Sequence, residues 1–242
     1  MTALSGQIAE NLATVRSRID QACQRSGRDS SEVALVCVTK YAELEWIEAL
    51  LETGISILGE SRPQQLSERA AVLPKHIEWH LVGQLQRNKV RRTLACTSLI
   101  HSVDSLRLLD RIETISAGEG VRARVLLQAN LSLDHARSGF SADQLREEWS
   151  RVMAMKTVEV LGLMTMAAWS DDPQSSRPVF EELRDLAEEL GRRRVDQGGR
   201  PLTELSMGMS NDFEVAIESG ATLVRLGRSL YQGLTPPQTS RR

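Results

Sequence analysis

Lys40 ends the run Leu35-Val36-Cys37-Val38-Thr39-Lys40, a stretch of apolar and β-branched residues that reads as a buried strand. Lysine is rarely buried without a partner, so its amine must surface where this strand does. It is either an ordinary strand-end charge or a primary amine held at a cavity mouth, where it could condense with a carbonyl. With period-two alternation Val36, Val38 and Lys40 share one face. A second anomaly is Arg225, an arginine inside the apolar run Leu223–Gly227 and in phase with Gly227. A buried guanidinium needs acceptors. Glu60 or Asp104 could pair with it, or it could donate to a bound ligand. A third feature is the pair of segments "LSMGMSNDFE" (205–214) and "LVRLGRSLY" (223–231). Ser206 offers a hydroxyl, and Asn211 with Glu214 spells an N-cap and N3 pair. Gly227 permits close backbone approach, followed by the Arg228 amide, so together these could cradle a phosphate.

The elements that must position these groups follow from periodicity. Leu4, Ile8, Leu12, Val15, Ile19 and Cys23 form one helical face, with Gly27 as its stop. Strand-like runs recur at 33–40, 55–60, 78–83, 99–103, 122–131, 159–166, 204–209 and 223–227. Helix-patterned faces lie between them, at Leu44–Leu51, Leu106–Ile115 and Val179–Leu190, with a short basic helix at 86–95. Eight strands alternating with helices predict a single (β/α)8 barrel over residues 1–233, with a disordered tail at 234–242. A doubly wound open sheet is the rival, but no Pro/Gly/Ser-rich linker divides the chain. In a barrel the chemistry sits at the C-terminal ends of the strands, where Lys40, Ser206 and Arg225 fall. The polar stretch 168–178 is then a functional strand-to-helix loop.

Composition bounds the classes. The 242 residues carry a formal net charge of −2, which argues against nucleic acid as a partner. The run "QRNKVRR" (86–92) reads as a solvated helix face, and Trp46, Trp79, Trp149 and Trp169 form no stacking platform. No run is long enough to span a membrane, and residues 1–21 lack a signal-peptide core. Cys23, Cys37 and Cys96 show no CxxC spacing, which points to reduced thiols and a cytoplasmic setting. The four histidines form no metal-ligand cluster.

"LVCVTKY", "WHLVGQLQRNKVR", "IHSVD", "LLQANLS", "GLMTM" and "LSMGMSNDFEVAIESGATLVRLGRSLYQG" resemble the pyridoxal phosphate homeostasis protein family, whose members are similar to the barrel domain of alanine racemase. The resemblance runs in order from about residue 7 to 233. It implies a fold-type III barrel that binds pyridoxal 5′-phosphate (PLP) as a Schiff base on Lys40. Ser206, Gly227 and Arg228 fall on the phosphate positions, Arg225 on the arginine facing the pyridine nitrogen, and Ser61 and His80 near the cofactor. The family's "GEN" is "GES" here, so Ser61 replaces an asparagine. Its "VN" in strand five is "AN", and Leu133-Asp134 replaces a Gly-Glu beyond it.

An arginine beside the pyridine nitrogen keeps that nitrogen unprotonated and makes the ring a poor electron sink. Racemases of this fold draw a tyrosine base from a second domain, and the reading of residues 1–233 as one barrel predicts none in this sequence. Only Tyr41 and Tyr231 are available, and alternation points Tyr41 away from the amine of Lys40. The expected function is a PLP carrier with little or no catalysis, acting as a monomer, with PLP-dependent apo-enzymes as acceptors. A weak amino-acid racemase is the alternative, and a cofactor-free Schiff-base aldolase is a third reading.

Overall fold

The computed structural model describes residues 2–132 and 138–234. Strands β1 (Ala34–Val38), β2 (Ile57–Glu60), β3 (Glu78–Leu81), β4 (Leu99–Val103), β5 (Ala123–Gln128), β6 (Val158–Met164), β7 (Glu204–Ser206) and β8 (Leu223–Leu226) are joined in chain order. They form a closed parallel barrel in which β8 returns to pair with β1. The helices are α1 (Ala3–Arg25), α2 (Leu44–Leu51), α3 (Pro63–Val72), α4 (Val90–Leu94), α5 (Leu106–Glu119), α6 (Ala142–Met153), α7 (Arg177–Val195) and α8 (Phe213–Glu218). The (β/α)8 expectation holds, and the open sheet is excluded by closure.

Six strands, all but β2 and β4, stop one to three residues short of their expected C-terminal ends. The apolar pattern continues past the ladder because those residues line the mouth. The basic stretch 86–95 splits into a 3₁₀ turn at Arg87–Lys89 and the short α4. Helices α3 and α6 are additions to the sequence reading. Pro63 at the first turn and the Ser141–Gln144 capping box mark their starts.

Alternation sorts the strands into two cores. Val36, Leu99, Leu126, Met164 and Leu223 fill the barrel interior. Cys37, Leu58, Leu81, Val125 and Leu163 face outward beneath the helices. Helix α1 buries Ile8, Leu12, Val15 and Ile19 and packs between α2 and α8, covering the seam where the barrel closes. Asn11 of α1 donates to the carbonyls of Leu230 and Gln232, and Arg18 grips Glu214 of α8 with two hydrogen bonds. The first helix therefore anchors the segment that follows β8. The Leu133-Asp134 replacement and residues 235–242 of the expected tail lie outside the described residues. Leu234 is described, and its amide bonds to the carbonyl of Tyr231.

Candidate functional site

The inward phase of β1 persists to its end. A Cβ on Gly59 would lie 2.9 Å from Val36 Cγ1 and 3.4 Å from Val38 Cγ2, so both valines point into the barrel beside β2. The Thr39 amide still bonds to the Gly59 carbonyl at 2.9 Å, and beyond it the chain turns, the Ala42 amide donating to the Thr39 carbonyl at 2.7 Å. Lys40 sits in this turn, exposed at the mouth. Its Nζ lies 4.9 Å from the centre of the Tyr41 ring, which is itself 73% exposed. The expectation that Tyr41 points away from the amine is therefore corrected. Strand alternation ends at Thr39, and the turn brings the two side chains together.

Below the mouth, four inward side chains form a continuous buried polar chain. His80 Nδ1 and His101 Nε2 are 3.0 Å apart, and His101 Nδ1 is 2.7 Å from Ser206 Oγ. Arg225 donates through Nη1 to the same Ser206 oxygen and through Nη2 to the Thr165 carbonyl at 2.9 Å. The chain crosses from β3 through β4 to β7 and β8. Burial dominates its titration. It pushes His80 down to about 4, with Arg124 adding to the effect. Burial also holds His101 well below the ordinary imidazole range, helped by His80 and Arg225. The same cause lowers Arg225 to about 10, with Asp212 opposing it. At neutral pH both imidazoles are neutral and Arg225 is a cation with N–H groups beyond the two in use.

Several sequence expectations change here. Arg225 pairs with neither Glu60 nor Asp104. Glu60 bonds to Thr39 and Arg69, and Asp104 accepts from Ser105. Ser206, expected at the phosphate, is fully buried on the floor of the site, its hydroxyl bonded to Arg225 and within 2.7 Å of His101. Strand β7 ends at Ser206, and its inward phase sends the side chain down into the barrel. Asn211 does not cap α8. Asp212 stands at that position, its Oδ1 accepting from the Met209 amide at 2.7 Å. Asn211 instead donates to the Ser170 carbonyl, and Glu214 is held by Arg18.

The loops after β7 and β8 meet at the rim. Met209, Asn211 and Arg228 border one cavity of about 400 Å3 with Gln128, Met166 and Trp169. Gly227 lies against the end of β1, since a Cβ there would stand 3.1 Å from the Val38 carbonyl. The turn carrying Lys40 and the turn opened by Gly227 thus leave the barrel side by side. Ser61 is half-buried on the neighbouring strand exit, its amide bonded to Glu60 Oε2 at 3.1 Å. His101 and Thr165, which complete the polar chain, were not singled out from the sequence. His101 could have been found by its inward phase within "IHSVD". Ser210, half-buried in the loop beside Met209, was not singled out either.

The alanine racemase N-terminal domain family matches residues 7–236. A pyridoxal phosphate homeostasis protein of Aquifex aeolicus is 37% identical over 223 residues, spanning 92% of this chain and 96% of its own. One from Mycobacterium leprae is 35% identical over 93% of this chain and 91% of its own. The chain belongs to the pyridoxal phosphate homeostasis protein family. The structure of PipY from Synechococcus elongatus, solved with PLP bound, superposes with a TM-score of 0.80 at 33% identity, covering 92% of this chain and 99% of that one. An alanine racemase of Clostridium difficile shares the fold, with a TM-score of 0.70 at 16% identity, and this chain spans 58% of its length.

Proposed function

We propose that this protein holds pyridoxal 5′-phosphate at the barrel mouth through Lys40 and serves the intracellular balance of that cofactor, with little or no turnover of its own. The carrying observation is the convergence of three groups at one strand-end face. These are an exposed amine on the turn after β1, a buried arginine with donors to spare beneath it, and a glycine-led turn beside it. Relatives at 35–37% identity are named for PLP homeostasis, and a structural neighbour carries PLP.

The donor set suits the group. A primary amine can take the aldehyde, a guanidinium can donate to the unprotonated ring nitrogen, and N–H and O–H donors can take the phosphate. When bound, PLP supplies a reactive aldehyde and a conjugated ring. The chain's residues supply position. Arg225 is fixed from below by Ser206 and the Thr165 carbonyl, so its free N–H groups are aimed rather than mobile. Gly227 and Arg228, with Ser210 in the loop after β7, would receive the phosphate. Ser61 and His80 border the site without a direct charge. All these residues come from one chain, so a monomer suffices to form the site.

The reading of weak catalysis rests on the tyrosines. Tyr231 packs on Trp46 with ring centres 5.7 Å apart, and its hydroxyl is buried outside the barrel, where burial raises its pKa far above the usual range. Tyr41 lies under the amine in open solvent. Neither stands opposite Lys40 as a poised base. Five large apolar side chains, Tyr41, Leu44, Met166, Trp169 and Met209, are exposed just beyond the ends of β1, β6 and β7. An apolar rim around an open mouth supports transfer of the aldehyde to acceptors, including PLP-dependent apo-enzymes.

The test is the visible spectrum of protein mixed with PLP, followed by borohydride reduction and peptide mapping. A pyridoxyl group on Lys40 supports the reading. A label on Lys75 or Lys89, or a colourless protein, overturns it in favour of a cofactor-free barrel.

A further inference from the structure

The turn Thr39–Ala42 is held from outside the barrel by a buried ion pair. Glu60 is fully buried, and it accepts from Thr39 Oγ1 at 2.7 Å and from the Ser61 amide at 3.1 Å. Arg69, on the last turn of α3, pairs with Glu60 Oε1 through Nη1. The same guanidinium donates to the Thr39 carbonyl at 2.7 Å and to the Ala42 carbonyl at 2.6 Å. The Thr39 carbonyl also takes the Ala42 amide, so both its lone pairs are used. Arg69 therefore grips both ends of the four-residue turn whose two middle residues, Lys40 and Tyr41, are exposed.

A buried ion pair is a poor way to gain stability alone. Its geometry does one specific thing: it fixes the backbone on either side of Lys40. A planar guanidinium can bridge two carbonyls and a carboxylate at once, and an ammonium cannot hold that fork. We infer that Arg69, locked by Glu60, is a positioning residue for Lys40, setting where the amine meets an incoming aldehyde. This rests on the reading of Lys40 as the attachment site. It also gives Glu60 of the "GES" segment a part, since its carboxylate orients Arg69 and Thr39 rather than any ligand.

The experiment compares wild type, Arg69→Lys, and the double variant Arg69→Met/Glu60→Gln, which leaves no unpaired buried charge. Four quantities are measured: thermal stability, amide hydrogen exchange at Ala42 without ligand, the rate of borohydride-trappable PLP attachment, and affinity for pyridoxine 5′-phosphate. The last ligand has the ring and phosphate but no aldehyde. In the double variant, exchange at Ala42 quickens and attachment slows about ten- to a hundredfold, the scale expected for a misplaced reacting group. Pyridoxine 5′-phosphate affinity stays within about twofold of wild type, because the attachment defect lies in the aim of the amine. Arg69→Lys keeps the charge and recovers thermal stability but not the attachment rate. Full recovery by lysine, unchanged attachment in the double variant, or equal losses for both ligands would each overturn the inference. If the double variant does not fold, Thr39→Val carries the same test with a smaller slowing. Wild type that forms no Lys40 adduct sinks the function proposed above, while exchange at Ala42 still reports on the clamp.

Discussion

Arg225 donates to the hydroxyl of Ser206, and that hydroxyl is also within 2.7 Å of His101. Ser206 is thus a joint in the floor of the site. Ser206→Ala should leave Nη1 of Arg225 and Nδ1 of His101 without this partner in a dry interior. We expect a stability loss of about 1–3 kcal/mol in urea unfolding. Affinity should fall alike for PLP and for pyridoxal, because the damage lies under the ring. A loss confined to the phosphorylated ligand would restore Ser206 to the phosphate.

Ser210→Ala should behave in the opposite way. The residue is half-buried in the loop after β7, between Met209 and Asn211, which border the cavity shared with Arg228. Losing a hydroxyl that donates to a charged oxygen costs about 1.5–3 kcal/mol, or roughly ten- to a hundredfold in affinity. PLP should bind more weakly by that factor, while pyridoxal binding and the melting temperature hardly change. Equal weakening of both ligands would remove Ser210 from the phosphate site.

Two neutral imidazoles in the floor set a pH window. His80 and His101 have folded-state pKa values below the unfolded value of 6.5, His80 at about 4. The unfolded chain therefore takes up protons first as pH falls. Stability is intact above pH 6.5 and drains as pH drops toward 4, by up to about 1.4 kcal/mol per pH unit for each imidazole. Urea midpoints measured from pH 7.5 to 4.5 should show this slope. His101→Asn removes one of the two titrating groups and should flatten it. An identical slope in the variant would mean that other groups carry the acid sensitivity.

Much of this arrangement is written locally. The inward phase of Val36 and Val38 is legible from alternation, and so is the eight-fold recurrence of strands. What lies past the ladder is not. Lys40 turns onto Tyr41 because Arg69 and Glu60 hold the turn, and nothing within residues 35–41 encodes those partners. Likewise Arg225 announces a need for acceptors, yet its acceptors come from β7 and from Thr165 just past β6, a match that the parallel pairing of β6, β7 and β8 creates. Ser206 and Ser210 are alike in type, and the residue at which β7 ends decides which one faces down. Asp212 rather than Asn211 precedes α8, and its carboxylate is spent on the Met209 amide within the loop rather than on the helix.

The last expectation concerns turnover. Arg225, lowered only to about 10, remains a cation at neutral pH and has no proton to give readily to a ring nitrogen. Removal of an amino acid's α-proton would then leave charge on a weakly stabilising ring. The second requirement is a base across the ring from Lys40. Tyr231 is committed to packing on Trp46 outside the barrel, and Tyr41 is stacked beneath the amine on the solvent side. His80 and His101 are neutral, but they are tied to each other and to Ser206 below the site. Deuterium incorporation at Cα of alanine, followed by NMR with PLP-loaded protein, should therefore stay far below enzymatic rates of about 1 per second. The trapped pyridoxyl label on Lys40 should meanwhile fall when free amino acids are added before reduction, since they compete for the aldehyde. Fast exchange at Cα that disappears in Lys40→Ala would establish a racemase-like enzyme instead.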